Sequence, residues 1–204
     1  MSRTLPEMVL MPPSMPALLL LLVGWYTIGL TAATTRQQPA TLLIRADGAA
    51  APLPLSGASW TISSDTLSEL GTLPATVPGD LISDLQRAGA VPDPWFETNF
   101  LDNRSVWNAP DWSYSRTFTG PAAAAFSVDG TAAAEAVLLV LDSVKMGAQV
   151  VLNGATVGET TDQFLRYEFD VTALLHRGGP NHLQLIFDST IGTDGRFMAC
   201  TGGW

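Results

Sequence analysis

Residues 149–157 read QVVLNGATV, and this stretch decides the fold. The dipeptide Asn153-Gly154 has β-prone residues on both sides, Gln149 to Leu152 before it and Ala155 to Val157 after it. Asn and Gly both accept the positive φ that a two-residue hairpin turn requires, so this dipeptide between two such runs is the strongest short signal of a β-hairpin. The stretch therefore predicts two adjacent antiparallel strands.

Further strand patterns lie on both sides of this hairpin. They are short apolar or alternating runs bounded by turn residues: Thr41–Arg45, Gly57–Ser63, Trp112–Phe118, Val137–Leu141, Tyr167–Val171 and His182–Phe187. An alanine-rich stretch, 122–134, interrupts them and is interpreted as a loop or hairpin tip. Since strand follows strand without the helices of βαβ units, the sequence predicts an all-β antiparallel sandwich or barrel. Large rings dominate such cores, so we expect core positions for Trp60, Trp112 and Tyr114.

One short helix is expected after Pro78-Gly79. Asp80 is a good N-cap residue, and Gly89 is a good residue at which to end. Between them one helical face is apolar and consists of Leu81, Ile82, Leu85 and Ala88. The segment that follows, 91–108, is rich in Pro, Asp, Asn and aromatic residues and is expected to be irregular.

Charge and motif content exclude several classes of function. Lys and Arg number 10 against 19 Asp and Glu, a net charge of -9. That balance argues against nucleic acid as a partner, because its phosphates are bound by Lys and Arg. His176 and His182 have no common metal-ligand spacing, and the single cysteine, Cys200, is expected to be structural. We expect no metal site, no cofactor and no catalytic residue.

The N-terminal region has the composition of a targeting segment. Residues 17–30 form a run without charge, whose length is typical of a signal-peptide core and short for a bilayer span. Small residues follow at Thr31-Ala32-Ala33. Residues 1–33 are therefore interpreted as a signal peptide, with a membrane anchor at 17–30 and a transit peptide as alternatives. Asn103-Arg104-Ser105 is an N-glycosylation sequon, consistent with export. We expect a secreted or a lysosomal or vacuolar protein.

Several stretches resemble, in their order and spacing, the N-terminal domain of family 2 glycoside hydrolases and of β-mannosidases in particular. These stretches are Val77–Asp80, Val91–Phe96 with Asn99, Trp107, Asp111–Phe118, Leu141–Asp142, Val151–Gly154 and Phe169–Thr172. The resemblance implies an antiparallel jelly-roll β-sandwich similar to galactose-binding modules. It places that domain at 55–204, after a linker and first strand at 34–54.

In that family, hydrolysis of terminal β-D-mannosides depends on two glutamates of a C-terminal TIM-type barrel, one of which follows an asparagine. This chain has no Asn-Glu dipeptide. The resemblance therefore implies a non-catalytic domain, cut off before the barrel and inactive alone. Trp204 matches the first tryptophan of the family's Gly-Trp-Asp-Trp segment, so it is expected to contact the β-mannoside when the barrel is present.

Two interpretations remain for Asp93, Trp95, Asn99 and Trp107 in the irregular segment. Their rings could stack on a sugar whose hydroxyls bind the polar groups, or the loop could pack against the barrel. The first interpretation corresponds to an alternative function, a free-standing secreted carbohydrate-binding module without hydrolase activity. A third interpretation is a nonfunctional remnant that aggregates through an uncovered apolar patch.

Overall fold

The computed structural model describes residues 40–46, 49–122, 127–128, 131–132, 136–145 and 147–188. The expected signal peptide, Cys200 and Trp204 lie outside these residues. Nowhere in the described ranges is there a helix long and apolar enough to cross a lipid bilayer.

Twelve strands and four short helices make up this part of the chain. The strands are β1 (Ala40–Ala46), β2 (Ala49–Pro54), β3 (Gly57–Ser63), β4 (Leu73–Val77), β5 (Ser113–Thr119), β6 (Ser127–Val128), β7 (Thr131–Ala132), β8 (Ala136–Asp142), β9 (Ala148–Leu152), β10 (Ala155–Thr160), β11 (Arg166–Asp170) and β12 (Pro180–Phe187). The helices are a 3-10 turn (Ser68–Leu70), α1 (Leu81–Arg87), α2 (Asn99–Asp102) and α3 (Arg104–Trp107).

Two antiparallel sheets form the domain. One has the strand order β11-β8-β1-β2, and the other has the order β10-β9-β12-β5-β3-β4. Buried side chains of both sheets belong to a single hydrophobic cluster, which includes Leu42, Leu139, Tyr114 and Leu185. This arrangement confirms the predicted all-β sandwich. Strands β6 and β7, within the alanine-rich stretch, pair with each other in antiparallel orientation.

The Asn153-Gly154 turn has the predicted geometry. Both residues have positive φ, 52° and 81°, and Leu152 pairs with Ala155 across the turn. The Asn153 side chain also fastens the hairpin to its neighbours, because its Oδ1 accepts a 2.8 Å hydrogen bond from the backbone N–H of His182. The hairpin therefore holds β9 in register with β12 as well as with β10.

Edge strands β2 and β4 were not expected from the sequence, and β2 gives residues 34–54 a second strand. Pro52 and Pro54 lie in β2, and Pro74 lies in β4. Proline lacks a backbone N–H and so is tolerated only at sheet edges, where it also discourages pairing with another chain. The exposure of all three prolines matches that role.

Helix α1 follows the predicted pattern. The Asp80 side chain accepts a 3.0 Å hydrogen bond from the Ser83 backbone N–H, Leu81 and Leu85 are buried, and Gly89 has a φ of 74°. The expectation of only one helix is wrong, since α2 and α3 lie in the segment expected to be irregular. Each has four residues, too few for hydrophobic periodicity to show in the sequence.

Asp84 fixes α1 to the sheet. This carboxylate is fully buried and forms an ion pair with Arg87. It also accepts hydrogen bonds from the backbone N–H of Thr76 in β4, at 3.2 Å, and from the Tyr114 hydroxyl in β5, at 3.2 Å. Burial, followed by the nearby Asp84 charge, raises the pKa of Tyr114 well above its ordinary value.

Candidate functional site: an exposed aromatic ridge

The segment between α1 and β5 presents large apolar side chains to solvent. Trp95 is 90% exposed, Phe96 59% and Leu101 61%. These three residues are called the aromatic ridge below. Single exposed apolar residues are ordinary, but three large ones within seven positions of a folded segment indicate a surface made to contact something.

Local hydrogen bonds hold the ridge in one conformation. Asp93 Oδ1 accepts a 2.9 Å bond from the Trp95 backbone N–H, and Asp93 O accepts a 2.8 Å bond from Asn99 Nδ2. Asn103 Nδ2 in turn donates to Asn99 O at 2.9 Å. Glu97 has the positive φ of 49° that non-glycine residues seldom adopt. The structure therefore brings Asp93, Trp95 and Asn99 together.

Trp107 has a different role from the one considered for it. Its side chain is only 5% exposed, and its ring centroid lies 5.1 Å from that of Phe100. Nearby, Trp112 Nε1 donates to Val106 O at 2.9 Å and ties α3 to the start of β5. Trp107 is thus part of the domain's own core, and its ring is not presented to a ligand or a neighbouring domain.

Asp111 anchors the other end of the segment. Its carboxylate accepts bonds from the Ser64 hydroxyl at 2.5 Å and from the Thr66 backbone N–H at 2.7 Å. Burial favours the neutral acid, but the hydrogen bonds from Ser64 and Thr66 together outweigh that effect and lower the pKa of Asp111. The segment is therefore fixed at both ends and along its length.

A second exposed aromatic, missed in the sequence, lies between β10 and β11. Phe164 is 86% exposed and Leu165 52%. Asp162 Oδ1 accepts a 2.8 Å bond from the Phe164 backbone N–H, and the Tyr167 hydroxyl accepts a 2.7 Å bond from the Asp162 backbone N–H. The signal was an aspartate two residues before an aromatic, the same spacing as Asp93 and Trp95.

Groups for bond-making chemistry are dispersed in this part of the chain. Each of the described glutamates lies in a different element: Glu69 in the 3-10 turn, Glu97 in the ridge segment, Glu159 in β10 and Glu168 in β11. Within the described residues, no group of three or more His, Cys, Asp or Glu side chains could hold a metal ion.

Comparison with known proteins identifies the fold family. The profile of the family described as "Glycosyl hydrolase 2 galactose-binding domain-like" matches residues 60–200. The chain belongs to this family. That range covers most of the six-stranded sheet, strands β8 and β11 of the four-stranded sheet and the whole aromatic ridge, so the glycosyl hydrolase 2 assignment made from sequence motifs is confirmed.

Similar proteins include β-mannosidases. The chain is 35% identical over 133 residues to the β-mannosidase of Rattus norvegicus, a match covering 65% of this chain and 14% of the rat protein. It is 35% identical over 134 residues to a probable β-mannosidase of Caenorhabditis elegans, which covers 65% of this chain and 13% of that protein. The chain therefore spans only a small part of the length of these relatives, and the matched part is their N-terminal domain, consistent with a non-catalytic domain.

Solved structures agree with the sequence comparison. The β-D-mannosidase of Dictyoglomus thermophilum matches with a TM-score of 0.57 and 28% identity, over 68% of this chain and 16% of that chain. The exo-chitosanase CsxA of Amycolatopsis orientalis matches with a TM-score of 0.53 and 20% identity, over 67% of this chain and 16% of that chain. At that identity the second match shows the fold alone.

Proposed function

We propose that the chain is the N-terminal accessory domain of a β-mannosidase-type glycoside hydrolase and that its aromatic ridge packs against the catalytic barrel of the full-length enzyme. The observation that carries this proposal is the exposure of Trp95, Phe96 and Leu101 on a firmly structured segment. The similar β-mannosidases are several times longer than the matched region. In a protein of that length, the remainder of the chain would be available to cover the aromatic ridge.

The energetics favour docking of this segment. Burying a large apolar side chain is worth about 1.5–3 kcal/mol, and the ridge offers three of them. Binding also costs conformational entropy whenever loops and side chains must be ordered. The hydrogen bonds that Asp93 accepts from the Trp95 backbone N–H and from Asn99 Nδ2 order the backbone in advance, so that cost is reduced here.

Charge adds a requirement for the covering surface. The segment 91–108 contains Asp93, Glu97 and Asp102 but only one basic residue, Arg104. The barrel surface that covers the ridge should therefore be apolar at its centre and should carry Lys or Arg at its rim.

The full-length enzyme, in this proposal, hydrolyses terminal β-D-mannosides in the secretory pathway, lysosome or vacuole. Retaining glycosidases need two carboxylates about 5–5.5 Å apart, and the barrel supplies both. This domain supports the barrel, and Trp204 lends one side of the sugar pocket. Export is supported by the uncharged run at 17–30 and by the sequon at Asn103.

A long-read transcript across the codon for Trp204 tests the proposal. A frame that continues through Asp-Trp into several hundred residues with an Asn-Glu dipeptide supports it. A stop codon at that point with no downstream barrel contradicts it, and the accessory-domain function is then wrong.

Docking of the aromatic ridge can be tested separately in the full-length enzyme. Replacing Trp95 by Ser should lower soluble yield and β-mannosidase activity together, because the domain no longer docks. Phe164→Ser is the matched control, since Phe164 is exposed to nearly the same extent, 86%, on a different turn. Equal losses in the two variants, or no loss in either, would mean that the ridge is not the docking surface.

A second candidate is a free-standing carbohydrate-binding module, and one observation favours it. The Trp95 ring is 90% exposed beside Asp93 and Asn99, whose polar groups could bind hydroxyls of a sugar stacked on the ring. Titration of the secreted chain with β-mannosides and with a glycan panel, monitored by tryptophan fluorescence, tests this function. A signal that disappears in Trp95→Ser supports a module, and the absence of any binding removes the basis for it.

A further inference from the structure

The sequon Asn103-Arg104-Ser105 lies in an accessible part of the folded domain. Arg104 and Ser105 are exposed, and Asn103 is half-buried at the junction of α2 and α3. Asn103 Nδ2 donates one hydrogen bond, to Asn99 O at 2.9 Å. A carboxamide nitrogen carries two N–H groups, so one of them remains for substitution without loss of this bond.

Phe100 lies beside this nitrogen. The backbone N–H of Asn103 donates to Asn99 O at 3.0 Å, a helical i to i−4 bond, so Phe100 and Asn103 are i and i+3 on one helical turn. Side chains at that spacing are neighbours, with Cβ atoms about 5–6 Å apart. The Phe100 ring is 42% exposed, and its other side packs on the buried Trp107 at 5.1 Å. The ring is thus held in place with part of its surface uncovered.

We infer that Asn103 carries an N-linked glycan and that the first N-acetylglucosamine packs its apolar face on the Phe100 ring. In the transfer step a bond forms between Asn103 Nδ2 and the anomeric carbon of a lipid-diphosphate-linked oligosaccharide. The bond from that carbon to the diphosphate oxygen breaks, and Nδ2 loses one proton. The remaining N–H still donates to Asn99 O.

This inference rests on the proposed export of the chain, and it refines the docking surface. A sugar on Phe100 covers the one exposed aromatic of the 91–108 segment that is not in the aromatic ridge. The barrel then meets Trp95, Phe96 and Leu101, while the glycan occupies the adjacent side of α2. Glycosylation and docking are thus compatible functions of one segment.

Occupancy is measured first, on the full chain expressed in a glycosylating eukaryotic host. Denatured whole-cell and medium samples are compared before and after complete enzymatic deglycosylation, with the chain's own N-terminus and again behind a supplied signal peptide. We expect a mass equal to one glycan, lost in Asn103→Gln and Ser105→Ala and kept in Ser105→Thr.

The two arms separate failure of the site from failure of export. A glycan that appears only behind the supplied signal supports the site and contradicts the proposed export. No glycan in either arm, for a chain that reaches the medium, overturns the inference. Because the samples are denatured, a variant that folds poorly still gives a mass.

The contact with Phe100 is tested by stability. The glycosylated chain, trimmed to one N-acetylglucosamine, should melt about 2–4 °C above Asn103→Gln, the shift expected for a single packing contact in a domain of this size. In Phe100→Leu that difference should vanish, while in Phe164→Leu, the matched control, it should persist. An equal difference in the Phe100 and Phe164 variants would overturn the packing on Phe100.

Discussion

Replacing Asn181 by Ala is expected to be among the most destabilising single substitutions of a polar residue in this domain. Asn181 is 1% exposed, yet its carboxamide makes four hydrogen bonds. Its Oδ1 accepts from the backbone N–H of His176 at 2.7 Å and from Asn153 Nδ2 at 2.9 Å. Its Nδ2 donates to His176 O at 2.8 Å and to Gly179 O at 3.0 Å. One side chain therefore closes the 176–179 turn and fastens it to the Asn153-Gly154 hairpin.

The magnitude follows from the groups left without partners. A buried donor or acceptor that loses its partner costs about 1–3 kcal/mol. His176 is exposed as a residue, so water can replace some of these bonds. Two effectively unpaired groups then give a loss of about 3 kcal/mol in the free energy of unfolding, a large share of the about 5–15 kcal/mol typical of a domain.

Urea unfolding of the full chain, followed by tryptophan fluorescence, measures this loss. Asn108→Ala is the matched control, because Asn108 is exposed and an exposed substitution should change stability by no more than about 0.5 kcal/mol. If Asn181→Ala loses less than about 1 kcal/mol, no more than a single ordinary hydrogen bond, the carboxamide does not hold the turn and the hairpin together.

Three further substitutions have expected outcomes. Tyr114 has a raised pKa, so its protonated form stabilises the fold fully below pH about 10, and that stability is lost as pH rises further. Tyr114→Phe removes the hydrogen bond to Asp84 and should lower the free energy of unfolding by about 1 kcal/mol. In urea unfolding, this variant should also lose less stability than the wild type as pH rises above about 10. Asp111 has a lowered pKa, so it stabilises the fold above pH about 4 and loses that effect as pH falls through the folded pKa. Asp111→Asn should therefore lose less stability than the wild type between pH about 4 and about 2, and an equal loss in the two proteins would contradict this role. A Cβ at Gly158 would lie 2.2 Å from Phe169 Cε1, so Gly158→Ala should cost about 1–3 kcal/mol in denaturant and should recover in part when Phe169→Leu makes room.

The features that could be predicted from the sequence are those whose physics is local. The Asn153-Gly154 turn and the Asp80 cap depend only on neighbouring residues, and both have the expected geometry. Trp60, Trp112 and Tyr114 are all buried, as expected of rings on strands. These positions follow from alternation and capping rules that need no knowledge of the rest of the chain.

What could not be predicted depends on distant partners. Trp107 belongs to the core because it lies in a hydrophobic cluster whose other members come largely from distant strands, and nothing in the sequence around it indicates that burial. Asp84 is buried because a β4 N–H and the Tyr114 hydroxyl converge on it from other elements. Strand β4 was not predicted because it contains Pro74. Proline argues against a strand unless that strand is known to lie at the edge of a sheet.

Of the expected site, Asp93, Trp95 and Asn99 are joined by hydrogen bonds, whereas Trp107 lies apart from them in the core. The composition of the 91–108 segment was enough to single it out, because aromatic residues among Asp, Asn and Pro are unusual inside a core. It could not show which rings face solvent, since exposure depends on how the segment packs on the rest of the domain.

The most direct test of the accessory-domain function is immunodepletion of the native protein. An antibody raised against residues 55–122 is applied to an extract of the source organism, and β-mannosidase activity is measured before and after. We expect the activity to fall in proportion to the captured protein and this protein to be several times longer than 204 residues. Capture of a protein no longer than this chain, with the activity left in the extract, would contradict the accessory-domain function.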